Sequence, residues 1–92
     1  MGYEWLPGLI AILRSVEEYE VLQALDNPHR WPRPMRDQRG NAFIAIWTRT
    51  NGGRPVIVTI RLIGGLDAQI VAARPMTPAE TVQLEQWEQD HE

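Results

Sequence analysis

Three short apolar runs separated by glycine-rich turns constrain the fold of this chain most. The runs read "NAFIAIWT", "PVIVTIRLI" and "AQIVAAR", are rich in β-branched residues, and are separated by "NGG" at 51–53 and "GGLD" at 64–67. Glycine supplies the positive φ that tight hairpins need. The pattern therefore predicts an antiparallel meander of three strands.

The first glycine turn also predicts a register. A two-residue turn at Asn51-Gly52 gives the pairs Trp47–Val56, Ala45–Val58 and Phe43–Ile60. We expect that wholly apolar face to pack on helices. With a second turn at Gly64-Gly65, the other face is mixed and carries Ile44, Ile46, Thr48, Ile57, Thr59, Arg61, Ile70, Ala72 and Arg74. A slip of one residue would exchange the two faces.

The same register predicts a cluster of cations. Arg49 would lie opposite Arg54, and Arg74 would lie beside Pro55, so three arginines would meet at one end of the sheet. Like charges directly opposite each other are destabilising unless an anion lies between them. We therefore interpret Arg49, Arg54 and Arg74 as candidate catalytic residues that hold a phosphate. Arg61 would lie at the other end, where pairing with Asp67 is as good an explanation as a ligand contact.

Helices are predicted on both sides of the strands. Residues 6–13 form a short first helix, and "SVEEYEVLQAL" at 15–25 forms a second, with a capping box from Ser15 to Glu18. Its apolar stripe contains Val16, Tyr19, Leu22 and Leu25. A closing helix begins at Thr77, with Pro78 in the first helical position and Glu80 completing a capping box. We expect a single α+β domain over residues 1–92 with N-terminal helices, a three- to four-stranded antiparallel meander and a C-terminal helix.

Charge is distributed unevenly along the chain. The net charge of the 92 residues is −3, yet residues 27–76 hold eight arginines against two aspartates, a local +6 between acidic ends. All nine basic residues are arginine. A GC-rich genome explains that bias as well as function does, but guanidinium also binds phosphate in a bidentate way and stacks on bases. The basic middle favours a polyanionic partner.

The segment "NPHRWPRPMRDQRG", residues 27–40, places an arginine at every third position. Its three prolines exclude a helix or a central strand and predict an irregular loop. In a polyproline II conformation the four arginines would form one stripe, about 9 Å apart. We interpret the loop as an RNA- or partner-binding surface, and solvated arginines remain the alternative. The candidate binding residues of the loop are Arg30, Trp31, Arg33, Arg36 and Arg39, and Arg61 is a further candidate outside it. Trp31 is either a stacking platform for a base or an anchor of the loop.

The sequence lacks the motifs of most catalytic chemistries. There is no Walker loop, nucleophile elbow, HExxH motif or EF-hand loop, and Ser15 is the only serine. RNA cleavage remains, because attack of a ribose 2′-hydroxyl on its own phosphate needs positioning, charge neutralisation and proton transfer. His29, inside the basic segment, is the candidate for proton transfer. A surface or capping role for His29 is the alternative, and His91 is a weaker candidate.

Cysteine is absent, so neither disulfides nor thiolate metal sites are available. A zinc site could in principle be built from the two histidines and carboxylates, but the spacing of these residues does not favour one. We expect no metal and no cofactor. The apolar opening "MGYEWLPGLIAIL" lacks a basic n-region and is too short to span a membrane, so we expect a cytoplasmic protein with no membrane partner.

Several landmarks resemble one protein family. An aspartate-x-proline-histidine element (Asp26, Pro28, His29) follows the long helix, and an arginine-x-glycine step leads into the first strand. The last strand ends in alanine-arginine-x-x-threonine, at Ala73, Arg74 and Thr77. Over about residues 20–80 this resembles the BrnT-type toxins of bacterial type II toxin–antitoxin systems.

The resemblance implies a RelE-like fold, ribonuclease activity that inhibits translation, and neutralisation by a cognate antitoxin, often a ribbon-helix-helix protein. Arg74 is the position that best carries over as functional, followed by His29. The chain departs from the family pattern at its start, at Arg74-Pro75, where the family has an arginine pair, and in its acidic tail. A toxin–antitoxin hetero-oligomer or a homo-oligomer is expected. The alternative is a non-catalytic module that binds protein or RNA through residues 27–76.

Overall fold

A computed structural model describes residues 2–13, 15–64 and 67–91. The elements follow one another along the chain as β1 (Tyr3–Trp5), α1 (Leu9–Ile12), α2 (Glu18–Asp26), β2 (Trp31–Arg36), β3 (Ala42–Arg49), β4 (Pro55–Gly64), β5 (Asp67–Pro75) and α3 (Pro78–Asp90). The predicted α+β class, with helices before and after the strands, is confirmed.

The strands form one five-stranded mixed sheet in the order β1-β5-β4-β3-β2. Strands β2 to β5 are an antiparallel meander of four strands, which confirms the expected three- to four-stranded meander. The short β1 pairs in parallel with β5, from Tyr3 opposite Ala68 to Trp5 opposite Ile70. This parallel strand was not predicted, because three residues are too few to show a periodicity.

The predicted register of β3 and β4 is wrong by one residue. Trp47 lies opposite Ile57 and Thr48 opposite Val56. The cause is the turn, which has three residues: the Thr50 N–H donates to the Arg54 carbonyl at 3.0 Å, and Gly53 adopts a φ of 87°. A left-handed residue in the third position is typical of three-residue hairpin loops, and glycine adopts it without strain. The predicted turn at Gly64-Gly65 lies partly outside the described residues.

The register divides the apolar residues between two cores. On one face, Ile46, Val56, Val58, Ile60 and Ile70 pack with α1 and α2. On the other face α3 covers part of the sheet, where its Leu84 packs with a second cluster of Ala45, Trp47 and Ile57. The predicted apolar face, which placed Trp47 and Val56 together, is therefore wrong, because each observed face contains residues from both predicted faces. Arg74 shares the α3 face, because it lies opposite Ile57.

The arginine segment forms a strand. Residues 31–36 pair with β3 from Trp31 opposite Trp47 to Arg36 opposite Ala42, so the predicted irregular loop is wrong for these residues. A proline in an edge strand can turn its missing N–H position towards solvent, and β2 is the last strand on its side. Pro32 and Pro34 also make β2 a poor template for pairing with another strand.

Helices α2 and α3 each begin at a capping box. Thr77 accepts a hydrogen bond from the Glu80 N–H at 3.2 Å, and the predicted start of α3 is confirmed. For α2 the N-cap is Glu17 with Glu20, so the predicted box from Ser15 to Glu18 is wrong. The buried residues of α2 are Val21, Ala24 and Leu25, so its buried face differs from the predicted stripe. Two members of the predicted stripe are exposed, Tyr19 at 61% and Leu22 at 41%.

Candidate nucleic-acid interface

The three arginines predicted to gather around a phosphate are each paired with a carboxylate of the chain. Arg49 binds Glu88 at 2.9 Å, Arg54 binds Glu20 at 2.9 Å, and Arg74 binds Glu80 at 2.7 Å. With the shifted register, Arg49 lies opposite Pro55 and not opposite Arg54. The predicted convergence of these three side chains is therefore wrong.

The ion pairs of Arg49 and Arg54 attach helices to strand β3 and to the β3–β4 turn. The Nε and Nη2 atoms of Arg49 donate to the two carboxylate oxygens of Glu88 on α3, each at 2.9 Å. This hydrogen bonding by Glu88 raises the pKa of Arg49. Arg54 reaches the other side of the sheet, where it donates to Glu20 on α2 and to the carbonyl of Ser15. The Arg49–Glu88 pair is bidentate, whereas Arg54 binds Glu20 through Nη1 alone and the Ser15 carbonyl through Nη2. Charge-assisted hydrogen bonds of this kind fix geometry as well as charge, so a structural role explains both arginines.

Arg74 is anchored along one edge of its guanidinium group. Its Nη1 and Nη2 atoms donate to the two oxygens of Glu80 at 2.7 Å each, and Nη1 also donates to the Pro75 carbonyl at 3.3 Å. In the described part of the chain, Nε and the second hydrogen of Nη2 meet no acceptor. That edge has the fork geometry that binds a phosphate in a bidentate way. Arg74 is therefore paired and still able to bind an anion.

The pair makes a prediction about acid stability. The Arg74 guanidinium, with help from the Thr77 backbone, lowers the pKa of Glu80 from 4.5 to about 2. Because the folded pKa lies below the ordinary value, the pair stabilises the fold above pH 4.5 and loses this effect as the pH falls towards 2. We expect Glu80→Gln, which can still complete the capping box, to differ from the wild type in Tm at pH 6 and to converge with it near pH 2. Thermal unfolding between pH 2 and 7 measures this, and a constant difference would contradict it.

The arginines of residues 30–39 differ from the paired ones. Within residues 2–13, 15–64 and 67–91 the ion pairs are the three described above, so none involves Arg30, Arg33, Arg36 or Arg39. Arg30 donates to the carbonyls of Leu25 and Asn27, and Arg36 donates to the Gly40 carbonyl at 2.9 Å. Carbonyl partners orient a guanidinium without neutralising it. We call Arg30, Arg33, Arg36 and Arg39 the basic edge.

The one carboxylate inside this segment serves the turn. Asp37 accepts hydrogen bonds from the Asn41 side chain and backbone and from the Arg39 N–H, and this hydrogen bonding, with Asn41 as its main source, lowers the pKa of Asp37. The Asp37 group thereby closes the turn between β2 and β3. The four arginines of the basic edge outnumber this single carboxylate, so the segment keeps an excess of positive charge.

The basic edge is not the single stripe expected for a polyproline II segment. Side chains alternate between the faces of a strand, so positions three apart point to opposite faces. Arg33 lies on the α3 face, opposite Ala45, and Arg36 lies on the other face, opposite Ala42. The four cations therefore surround the edge of the sheet.

The Trp31 ring packs against two other tryptophans and an arginine. Trp87 stacks on it with ring centroids 5.6 Å apart and planes inclined by 6°, and the Arg33 guanidinium lies 4.6 Å from its centroid. Trp47 meets it edge-on at 5.5 Å, and Arg33 also lies 4.7 Å from the Trp47 centroid. These contacts favour the anchor interpretation of Trp31 over the stacking platform.

Arg33 and Arg74 line one shallow pocket of about 370 Å³ on the part of the sheet that α3 leaves uncovered. Its floor is formed by Ala45, Trp47, Ile57 and Thr59, with Pro34 and Met35 beside Arg33. By alternation along β4, Arg61 lies on the same face as Ile57. Its side chain donates to Gln69, not to Asp67 as the alternative reading expected. We call this surface, with Arg33, Arg61 and Arg74, the open sheet face.

His29 lies elsewhere. It lines a separate pocket of about 440 Å³ together with Arg49, Trp87, Glu88 and His91, and Arg74 does not take part in it. The structure therefore separates His29 from Arg74, and the predicted catalytic set is not assembled in one place. His29 instead lines the same pocket as His91, which is 62 positions away along the chain. Sequence patterns offered no signal for this shared lining, which depends on how α3 crosses the sheet.

In the described part of the chain, no three histidine, aspartate or glutamate side chains are placed to hold a metal ion. No helix among those residues is long and apolar enough to cross a membrane. A scan against protein-family models found no match, and a search of curated proteins found none either.

Proposed function

We propose that this protein is a metal-independent, RNA-cleaving toxin of the BrnT type, with a RelE-like fold, which binds single-stranded RNA through the basic edge and the open sheet face. The cations of Arg30, Arg33, Arg36 and Arg39, together with Arg61 and Arg74, hold the phosphates. Cleavage of RNA inhibits translation in the cytoplasm.

The observation that carries the proposal is the contrast between two sets of arginines. Arg49 and Arg54 are held by carboxylates of helices, whereas the basic edge has no carboxylate partner in residues 2–13, 15–64 and 67–91. Uncompensated cations gathered on one edge repel one another, and a polyanion relieves that repulsion. A strand of six residues extends about 20 Å, which is long enough to contact several nucleotides.

A cognate antitoxin, ribbon-helix-helix or otherwise, is the second partner of the proposal. Helix α3 supports this idea, since it is an acidic helix that binds the sheet through Glu80 and Glu88. An acidic antitoxin segment would bind the remaining arginines in the same chemical manner. One basic surface then serves the RNA and the inhibitor in turn, within a toxin–antitoxin hetero-oligomer.

The second candidate is a non-catalytic module that binds RNA or protein through the same surface. The separation of His29 from Arg74 favours it, because the two groups line different pockets. The two candidates agree on the binding surface and differ on whether a bound strand is cut.

Two assays on the full chain separate these candidates. Purified protein is incubated with a labelled single-stranded RNA in the presence of a chelator, and the gene is induced in bacteria without any partner. The toxin produces RNA fragments and growth arrest, whereas the module shifts the RNA intact and leaves growth unchanged. Arg36→Gln should reduce RNA binding, and with it any cleavage and growth arrest, more than Arg54→Gln does. Arg54→Gln removes the same charge outside the proposed surface. Absence of RNA binding by the wild type would end the toxin and the RNA-binding form of the module, and would leave only a module that binds protein.

A further inference from the structure

We infer that the pocket containing both histidines is the place where the bound RNA is cut, with His29 and His91 acting as an acid–base pair. This assignment rests on the proposed function. It adds a catalytic role for His91 and separates the site of phosphate binding, at the basic edge and open sheet face, from the site of proton transfer. We call this site the histidine pocket.

The histidine pocket is open and has room for a nucleotide. Its volume is about 440 Å³, and its lining comes from the loop before β2, the β3–β4 hairpin and the last turns of α3. The lining residues that matter here are Asn27, His29, Arg49, Trp87, Glu88 and His91. These are the only two histidines of the chain, and both line this pocket. Imidazole is the side chain that exchanges protons near neutral pH.

The charged neighbours of the histidines neutralise each other. Both carboxylate oxygens of Glu88 accept hydrogen bonds from Arg49, so Glu88 is already engaged within the chain. Arg49 also donates to the Gly53 carbonyl at 3.0 Å, which fixes its guanidinium at the pocket wall. Among the residues lining the pocket, His29 and His91 are then the groups available for proton transfer.

The hydrogen bond of His91 fixes which ring nitrogen is basic. Nδ1 lies 2.8 Å from the carbonyl oxygen of Trp87. A carbonyl only accepts, so Nδ1 carries the hydrogen and the neutral ring has its lone pair on Nε2. The ring also stacks on Trp87, with centroids 4.7 Å apart and planes inclined by 19°. His91 is thus held in one tautomer and one orientation, as a general base requires.

His29 is fixed by its backbone while its ring stays available. Its N–H donates to the Asn27 side chain at 2.8 Å, and the Asn27 amide donates to the Arg49 carbonyl at 3.1 Å. The ring itself makes no hydrogen bond within the described residues. His29 lies directly before Arg30 and two positions before β2, so RNA bound along the basic edge reaches the pocket at the start of the strand.

The reaction assigned to the pair is transesterification. Nε2 of His91 takes the proton of a ribose 2′-hydroxyl as its oxygen attacks the adjacent phosphorus. The bond from phosphorus to the 5′-oxygen of the next nucleotide breaks, and protonated His29 gives that oxygen a proton. The products are a 2′,3′-cyclic phosphate and a 5′-hydroxyl end. The two imidazoles have exchanged protonation states and are restored through water.

The test compares His29→Gln and His91→Gln with the wild type in cleavage and in binding. Each variant should lower the single-turnover cleavage rate by about 10² to 10⁴, the range for general acid–base catalysis, and leave RNA affinity unchanged. The double variant should be little slower than the worse single variant, because the pair acts as a unit. The wild type should leave 2′,3′-cyclic phosphate ends and should bind but not cut RNA with a 2′-deoxyribose at the cleaved position.

Two further variants separate catalysis from structure. His91→Phe keeps an aromatic ring for stacking on Trp87 and removes the proton-transfer nitrogen, so it should fold and fail to cut. Gln89→Ala, an exposed change in the same turn of α3, should cut at the wild-type rate. Cutting by both glutamine variants at the wild-type rate would overturn the histidine assignment alone, with the RNA function intact. Failure of the wild type to bind RNA would overturn the proposed function itself.

Discussion

Replacement of Leu84 by alanine should lower the free energy of unfolding by about 2–5 kcal/mol. Leu84 is the fully buried residue of α3 and packs in the cluster with Ala45, Trp47 and Ile57. Truncation leaves a cavity between the helix and the sheet that these neighbours can fill only in part. Urea unfolding followed by circular dichroism measures the loss.

A second variant on the same helix is the control. Val82 is 53% exposed, and Val82→Ala should change the stability by less than about 0.5 kcal/mol. Equal effects of the two substitutions would mean that α3 does not dock through Leu84, and the division of the sheet into two cores would be wrong.

Trp31→Ala should destabilise the protein by about 3 kcal/mol, at the lower end of the range for tryptophan because its ring is half-buried. The ring connects the edge strand to α3 by stacking on Trp87, and it also packs against the Arg33 guanidinium. Its loss removes both contacts and frees the start of β2. Thermal and urea unfolding measure the change, and Trp31→Phe should restore most of it because an aromatic ring remains.

RNA affinity distinguishes this role from a stacking platform. A base stacked on an aromatic side chain contributes about 1–3 kcal/mol to binding, so a platform would lose that affinity in Trp31→Ala with little change in stability. We expect the opposite pattern in Trp31→Ala, namely a large loss of stability and unchanged RNA affinity at a temperature where the variant is folded. A large loss of affinity in Trp31→Ala with little change in stability would contradict the anchor role.

Local signals predicted the local parts of the fold. The start of α3 is fixed by three neighbouring residues, Thr77, Pro78 and Glu80, and all three act as the sequence indicates. The meander likewise follows from β-branched runs between glycine turns. A hairpin register depends on a single residue, however, and the difference between a two- and a three-residue turn at 51–53 moved every β4 side chain to the other face.

The candidate site depends on contacts that no local pattern contains. Carboxylate partners lie 39 positions from Arg49 and 34 positions from Arg54, and net charge by segment cannot assign them. The prolines of residues 28–34 suggested a loop, but an edge strand accommodates proline where the missing N–H faces solvent. Composition did locate the cations that lack carboxylate partners in the described residues, since Arg30, Arg33, Arg36 and Arg39 all lie in the segment that the sequence singles out.

The central claim is that single-stranded RNA is bound by the arginines of the basic edge, and the salt dependence of RNA affinity tests it most directly. Fluorescence anisotropy of a labelled RNA at several salt concentrations compares the wild type with a triple variant, Arg30→Gln, Arg36→Gln and Arg39→Gln, in which Arg33 keeps its packing on the tryptophans. The slope of log K against log salt should fall by about 2 in the triple variant, since each phosphate contact on a single strand contributes about 0.7. It should stay unchanged in Arg54→Gln. Equal slopes for the wild type and the triple variant would contradict the account.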